Sequence, residues 1–153
     1  MANYDFISDL PLGNKGEDVV INDLRKMGAT LISRNDDNRW DFIMENNGVQ
    51  IPYEIKTDVF CKPEYDTGNL FVEVECRGKP SGIIATKAKW FVTYYKYLNE
   101  IWYIKTQRLI QLIKEHENSI RQTQNSGDKG SNTKGYLFPR WKFKDEFIIR
   151  KAI

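Results

Sequence analysis

Histidine and cysteine are scarce in this 153-residue sequence, which holds one histidine and two cysteines. Neither Cys61 nor Cys76 lies in a C-x-x-C pair or near His116. Zinc fingers and iron–sulfur clusters need several such ligands at short spacing, so both are excluded. We expect two free thiols in a reducing compartment, although the spacing alone leaves a disulfide open.

Other common signatures are also missing. The segment G-N-K-G-E-D does not have the spacing or the G-K-[ST] ending of a P-loop, and no G-x-G-x-x-G motif follows a predicted strand. His116 lies among charged residues late in a predicted helix, without a serine or cysteine placed as a triad partner. Glycoside chemistry needs only two carboxylates and stays open.

Long apolar runs are absent as well, since no run approaches the roughly 18 residues of a membrane span. The segment M-A-N-Y-D-F-I-S-D-L carries aspartates and does not resemble a signal peptide. Hydrophobic content of 41% and charged content of 29% are ordinary for a soluble globular protein. We therefore expect one α/β or α+β domain over residues 1–153, intracellular and without membrane contact.

Charge is unevenly distributed along the chain. Residues 1–120 hold 15 Lys and Arg against 18 Asp and Glu, whereas residues 121–153 hold 8 against 3. A basic tail beside a carboxylate-rich body suits a protein that binds a polyanion through the tail and metal ions at the carboxylates. A merely solvated basic end explains the same charges equally well.

The stretch from Trp40 to Lys56 predicts a β-hairpin. It reads W-D-F-I-M, a polar turn at Asn46-Asn47-Gly48, and then V-Q-I-P-Y-E-I-K. The two-residue period of the second strand puts Glu54 and Lys56 on one face and the apolar residues on the other. With Asp41, the hairpin carries two carboxylates and one amine.

An amphipathic helix is predicted before this hairpin, from about Lys15 to Met27, with Asn14 as its N-cap and Gly28 as its end. Its core stripe is Val20, Ile21, Leu24 and Met27. Glu17 projects from the same side as the stripe. Either it joins a functional site or it only caps the helix, and this segment alone slightly favours the cap.

Phosphodiester hydrolysis would use all of these groups. Magnesium prefers oxygen ligands, and Asp41 and Glu54 on adjacent strands could hold it, with the backbone carbonyl of Ile55 within reach. Lys56 could position a water or stabilise charge that develops on phosphate. Glu17 would complete the site, either directly or through water.

The order of helix-borne Glu17, strand-borne Asp41 and the triplet Glu54-Ile55-Lys56 resembles the PD-(D/E)XK nuclease superfamily. That superfamily includes type II restriction enzymes, Holliday-junction resolvases and recombination exonucleases. The resemblance covers about residues 14–76 and extends toward Tyr97 through S-G-I-I-A-T-K-A-K-W-F-V, which is similar to phage and resolvase-like members. Trp40 stands where the motif usually has proline, a position at which replacement is common.

The resemblance implies an α/β fold with a restriction-endonuclease-like core, a central mixed sheet flanked by helices. It implies a Mg²⁺- or Mn²⁺-dependent deoxyribonuclease, with the metal at Asp41 and Glu54 and often the helix glutamate. A chain of this size is most similar to structure-selective enzymes that cut branched or junction DNA as homodimers, without an organic cofactor, in a bacterial or phage-infected cell. The alternatives are a sequence-specific restriction-type endonuclease and a non-cleaving nucleic-acid-binding module.

Basic residues near a predicted turn and near the C-terminus are candidate phosphate contacts. The first group flanks the turn after a predicted strand at Asn69–Cys76, and the second is interleaved with aromatic residues. Ordinary surface lysines and core aromatics are the competing interpretation. The candidates are Arg77, Lys79, Lys87, Lys89, Arg140 and Lys142.

The remaining pattern predicts a surface connection after the first hairpin, a second hairpin over Trp90–Lys105, a helix that Thr106 caps, and a flexible loop at about 118–135. Glu73 and Glu75 are predicted on the solvated face of an edge strand, with Glu73 as an alternative partner of the metal site.

Overall fold

A computed structural model describes residues 12–35, 39–126 and 132–152 of the chain, with side chains from residue 15 onward except 124–126. Ten strands and two α-helices lie within this part. No helix among the described residues is long and apolar enough to cross a membrane.

Six strands form a central mixed sheet in the order β1-β2-β3-β6-β7-β10. Every neighbouring pair is antiparallel except β3 and β6, which run parallel. The strands are β1 (Thr30–Arg34), β2 (Phe42–Asn46), β3 (Val49–Asp58), β6 (Trp90–Tyr95), β7 (Glu100–Lys105) and β10 (Ile148–Lys151).

A second, antiparallel sheet of four strands has the order β5-β4-β9-β8. Its strands are β4 (Asn69–Cys76), β5 (Lys79–Pro80), β8 (Arg121–Ser126) and β9 (Thr133–Pro139). Short 3₁₀ turns lie at Gly82–Ile84, Lys96–Leu98 and Lys144–Glu146.

The central sheet is buried on both faces. Helix α1 (Leu12–Lys26) supplies Val20, Ile21 and Leu24 to a core with one face of the sheet. Helix α2 (Thr106–His116) and the four-stranded sheet cover the other face in a second core. Neighbouring β6 residues therefore enter different cores, with Phe91 in one and Val92 in the other, as strand alternation requires.

The α/β class with a central mixed sheet flanked by helices is confirmed. The first hairpin forms as expected, because Asn47 (φ 54°) and Gly48 (φ 79°) take the left-handed conformations of a tight two-residue turn. The second hairpin joins β6 and β7, and β4 has the predicted bounds. A restriction-endonuclease-like origin of this core stays a prediction.

Helix α1 differs in detail from its prediction. It begins at Leu12, so that Asn14 lies inside the helix rather than at its cap. Met27 was expected in the core stripe but lies beyond the last helical residue and is 43% exposed. The predicted end at Gly28 agrees with the positive φ of that residue.

Two segments expected to be loops make ordered contacts. Within the predicted loop at 118–135, β8 pairs with β9, while residues 127–131 lie outside the described part of the chain. Strand β8 was not predicted because it has no apolar residues in alternation. It can be polar because it lies at an edge of the smaller sheet. In the connection after β3, Cys61 is buried and the Asp58 side chain accepts hydrogen bonds from the amides of Phe60 and Cys61, each at 2.9 Å.

Candidate active site

The two strands of the first hairpin, β2 and β3, separate at Asp41. The amide of Asp41 donates to the carbonyl of Tyr53 at 2.8 Å, and the amide of Ile55 then donates to Asp41 Oδ2 at 2.7 Å. The side chain of Asp41 thus takes the place that a backbone partner would occupy beyond the end of β2. This bond fixes the carboxylate against β3 and leaves Oδ1 without a hydrogen bond among the described residues.

The carbonyl of Ile55 faces the same gap. The amide and carbonyl of one strand residue point to the same side of the strand, and the Ile55 amide points toward Asp41. The β2–β3 pairing ends at Phe42 and Tyr53, so no β2 backbone stands opposite Ile55. A backbone oxygen and a carboxylate oxygen therefore face one opening.

Glu54 lies half-buried beside this opening, with a side chain that is 15% exposed. Thr86 Oγ1 lies 3.2 Å from Glu54 Oε1, and Lys56 Nζ lies 3.9 Å from Glu54 Oε2. Lys56 is 41% exposed, so its ammonium group stays accessible to a ligand. The predicted sharing of one strand face by Glu54 and Lys56 is confirmed.

Helix α1 approaches the same part of β3 at a glycine. A Cβ atom on Gly16 would lie 2.0 Å from Thr57 Oγ1, which is far shorter than any van der Waals contact. The absence of a side chain at Gly16 therefore lets the helix come close to β3. This contact places Glu17, the next residue, near the end of the hairpin.

The carboxylates influence one another electrostatically. Burial first, and then the charge of Asp41, raise the pKa of Glu17 from 4.5 to about 7, with a smaller contribution from Glu54. Burial and the charge of Asp41 likewise raise the pKa of Glu54 from 4.5 to about 7, against the lowering effects of Lys56 and Thr86. Burial also raises the pKa of Asp41. The neighbouring carboxylates thus raise the pKa values of both glutamates, and the opposing charges of Arg34 and Lys56 offset this only in part.

The donor set fits a magnesium-like cation better than a zinc-like one. No group of three or more His, Cys, Asp or Glu side chains in the described part of the chain is arranged to hold a metal by itself. Zinc sites usually need such a closed set, whereas Mg²⁺ commonly uses one or two carboxylates with waters and substrate phosphate. Asp41, Glu54 and the Ile55 carbonyl could provide that smaller set.

A loop before β6 borders the site through Thr86, a residue that the sequence patterns do not indicate. Thr86 Oγ1 lies 3.0 Å from the Arg39 carbonyl as well as near Glu54, and it accepts a hydrogen bond from the amide of Ala88. The amides of Lys87 and Lys89 donate to the carbonyls of Arg39 and Pro52 at 2.7 and 2.9 Å.

The exposed side chains of Lys87 and Lys89 therefore project from a loop attached to the first hairpin. The only sequence signal for Thr86 is its position inside the segment that resembles phage and resolvase-like nucleases. A hydroxyl in a loop has no periodicity that would reveal its partner.

Glu73 also contributes to the electrostatics of the site. It is half-buried, and its charge adds to the raised pKa of Glu54 after the larger effects of burial and Asp41. The strand that bears it is not at an edge, because β4 lies between β5 and β9. Glu75 pairs instead with Lys134 at 3.3 Å.

The other predicted phosphate contacts divide into two groups. Arg77, Lys79 and Lys142 are exposed, the first two at the turn between β4 and β5. Arg140 contradicts the expectation, because it is 0% exposed. Its guanidinium donates to Asp66 Oδ2 at 2.5 Å and to the Asn69 carbonyl at 3.1 Å, so it is not available to a phosphate.

Half of the eight cations in the basic tail are compensated by carboxylates elsewhere in the chain. Four of its cations form ion pairs with carboxylates of the acidic body, and Asp23, which binds Arg150, is only 2% exposed. Charge counts along the chain could not show this, because each partner is at least 51 residues away in sequence. The pairs are Lys134–Glu75, Arg140–Asp66, Arg150–Asp23 and Lys151–Glu100.

Comparison with known structures finds a similarity to a bacterial homing endonuclease, I-Ssp6803I. The two chains are 19% identical, with a TM-score of 0.48 over 64% of this chain and 65% of the other. The aligned part thus spans just under two thirds of that protein, and a likeness this low assigns no activity. No protein-family model and no curated protein matches the chain.

Proposed function

We propose that this protein is a divalent-metal-dependent DNA endonuclease that hydrolyses phosphodiester bonds. The observation that carries the proposal is the group of partly buried carboxylates Glu17, Asp41 and Glu54, which the accessible ammonium group of Lys56 compensates only in part. Carboxylates with strongly raised pKa values cost stability in the absence of a cation, and such groups concentrate at functional sites.

Each group has a distinct role in this proposal. Asp41 and Glu54 hold Mg²⁺ or Mn²⁺ together with the Ile55 carbonyl, and Glu17 joins them directly or through water. The bound cation supplies Lewis-acid stabilisation of the scissile phosphate and a more acidic water. Lys56 donates hydrogen bonds that orient the attacking water or stabilise charge on phosphate.

DNA is the proposed polymer because exposed lysines lie on the segments that border the site. Lys87 and Lys89 are exposed on the loop that is bonded to the hairpin, and the ammonium group of Lys56 lies 3.9 Å from Glu54 Oε2. Residues 12–35, 39–126 and 132–152 hold one compact pair of sheets and no separate specificity domain. We therefore favour recognition of DNA structure, such as a branch or junction, by a homodimer that cuts two strands.

The decisive experiment compares the parent protein with Glu54→Gln on a panel of single strands, duplexes, flaps, forks and four-way junctions. With Mg²⁺ or Mn²⁺ the parent should cut at least one branched substrate, and Glu54→Gln should lower the rate by about 10²-fold or more, because a ligand carboxylate is lost. Circular dichroism should show an unchanged fold.

The matched control is Glu45→Gln, which changes a carboxylate of the same hairpin at its turn end. It should cleave like the parent. An active Glu54→Gln protein would overturn the site. A defined ladder from plain duplex would favour the restriction-type alternative, and DNA binding without cleavage in every metal condition would favour the binding module.

A further inference from the structure

Exposed aromatic side chains gather at one place on the surface. Five aromatic residues in the described part of the chain are prominently exposed, and four of them lie on segments that meet beyond the ends of β3 and β6. We call these four the aromatic platform: Phe60 (78% exposed), Tyr65 (67%), Tyr97 (48%) and Trp141 (57%). Apolar groups concentrated at one exposed place usually mark a binding surface.

Contacts join the segments that carry the platform. Lys62 Nζ lies 5.6 Å from the centre of the Tyr97 ring, which connects the loop after β3 with the turn after β6. Pro63, Leu98 and Trp141 line one groove of about 280 Å³. Tyr97 and Trp141 thus lie on segments that contact the loop after β3, and Phe60 and Tyr65 belong to that same loop.

The platform rests on ordered backbone. Lys62 and Tyr65 exchange two backbone hydrogen bonds of 2.9 Å. The ring of Trp141 packs so closely on Gly68 (φ +75°) that a Cβ there would lie 2.6 Å from it. The buried guanidinium of Arg140 lies 5.4 Å from the centre of the same ring. An ordered surface binds with a smaller loss of conformational entropy than a mobile loop.

Lysines surround these rings. Lys62 and Lys96 lie over Tyr97 at 5.6 and 5.4 Å, and Lys142 and Lys144 are exposed next to Trp141 in sequence. Within the described ranges, no carboxylate forms an ion pair with any of these four lysines. The exposed acids on the same segments are Glu64, Asp145 and Glu146, and Glu146 is paired with Arg108. The surface therefore combines aromatic faces with an excess of positive charge.

The platform lies close to the proposed catalytic site. Phe60 follows Lys56 by four residues, so their Cα atoms are at most roughly 14 Å apart. A polymer with a phosphate at Lys56 can therefore reach the platform with its next few nucleotides. Duplex bases are already stacked on each other and expose only their edges, whereas unpaired bases offer free faces.

We propose that the aromatic platform binds the unpaired bases of single-stranded nucleic acid by stacking, while the surrounding lysines contact the phosphates. This inference rests on the proposed nuclease function for its role in cleavage: it would place a single-stranded arm beside the site. Base binding itself needs no catalysis. The chemistry is shared by DNA and RNA, because both present aromatic bases on a phosphate backbone.

The test measures binding of the full chain with Glu54→Gln, which prevents cleavage. Fluorescence anisotropy would use oligonucleotides of about 15 thymidines or uridines, within the site sizes of single-strand-binding surfaces, and a duplex of the same length. Replacing Phe60 and Tyr97 by alanine should weaken single-strand binding by about tenfold or more for each lost stacked base. Duplex binding should change less than about twofold, since the lysines remain.

Matched variants separate stacking from other effects. Tyr97→Phe retains the ring and should bind like the parent, whereas Phe60→Leu retains apolar surface without a ring and should lose affinity. Ile84→Ala removes an apolar side chain of 54% exposure from another surface and should have no effect. Thermal melts should coincide for all of these, because the altered side chains are exposed.

Unchanged single-strand affinity in the alanine variant would overturn the platform, and so would equal losses on single strand and duplex. Ring-dependent binding of either oligonucleotide supports it. If the parent cleaves DNA but binding does not depend on the aromatic rings, the nuclease function is supported and the platform is contradicted. If binding depends on the rings but the protein cleaves no substrate, the platform is supported and the nuclease function is contradicted.

Discussion

The carboxylates at the first hairpin and the cations of the C-terminal segment are both closely spaced charges, but they differ in how many of them have a close partner of opposite charge. Four C-terminal cations have carboxylate partners between 2.5 and 3.5 Å away. At the hairpin, Lys56 lies 3.9 Å from Glu54, and the pKa values of Glu54 and Glu17 are still raised to about 7, mainly by burial. Charge that the fold compensates only in part, rather than charge density itself, distinguishes the candidate site.

This difference separates charge that is neutralised in an ion pair from charge that a bound cation could neutralise. A compensated pair such as Arg140–Asp66 connects the loop after β3 with the segment after β9 and also holds the Trp141 ring. An uncompensated carboxylate lowers stability at neutral pH, and a ligand that brings positive charge can recover the loss. Removing a charge should therefore have opposite effects on stability in the two regions.

The largest effect on stability is expected for Arg140→Met. The change leaves the Asp66 carboxylate, whose side chain is 17% exposed, without its cation. Breaking a buried pair from one side typically costs about 3–5 kcal/mol. The free energy of unfolding in urea would measure the loss.

Lys142→Met is the matched control, because it removes an exposed cation two residues away. Its free energy of unfolding should stay within about 0.5 kcal/mol of the parent. If Arg140→Met were equally stable, the Arg140–Asp66 pair would not have the structural role assigned to it.

A smaller loss is expected for Gly16→Ala. The new methyl group would collide with Thr57 Oγ1 and move helix α1 away from β3, at a cost of about 1–3 kcal/mol. Because Glu17 follows directly, cleavage should decline as well. Both the urea midpoint and the cleavage rate would be measured.

Removing the obstructing hydroxyl should restore the approach of the helix. The Thr57 hydroxyl is buried without a hydrogen-bond partner among the described residues, so Thr57→Ala alone loses little. The double variant Gly16→Ala/Thr57→Ala should recover most of the activity that Gly16→Ala loses. A double variant no better than Gly16→Ala would contradict the contact.

The most specific effect is a gain in stability from Glu54→Gln. Between pH 4.5 and about 7 the folded protein holds more protons on Glu54 than the unfolded chain does, so stability falls as pH rises through this window. Glutamine resembles the protonated form and avoids that loss. Without metal, the melting temperature of Glu54→Gln should be higher than that of the parent at pH 8 and equal to it at pH 4.5.

Thermal melts with and without Mg²⁺ would complete the comparison. The cation should raise the melting temperature of the parent at pH 8 more than that of Glu54→Gln, because it binds the ionised carboxylate. Glu45→Gln should follow the parent throughout. A parent protein whose stability does not depend on Glu54 ionisation would remove the electrostatic basis of the site.

Local patterns predicted the hairpins well. The turn residues Asn47 and Gly48 favour positive φ, and the alternation of the next strand put Glu54 and Lys56 on one face. The residue spacing also indicated that Glu17 projects from the buried side of its helix. These predictions succeed because turn geometry and strand period act over a few residues.

Contacts between residues that are distant in sequence could not be predicted from local patterns. Arg140 resembles any cation among aromatic residues until Asp66, 74 residues earlier, is placed beside it. Thr86 reaches Glu54 across 32 residues through a loop without periodicity. Strand β8 is polar, and its pairing with β9 rather than its composition makes it a strand.

The sequence by itself determined the first hairpin, its turn and the strand face of its charged residues, because backbone conformation there depends on neighbours along the chain. Only the tertiary structure decided which charges remain uncompensated and which aromatic rings share one surface. Both properties depend on burial and on contacts between distant segments, and these exist only once the two sheets have packed together.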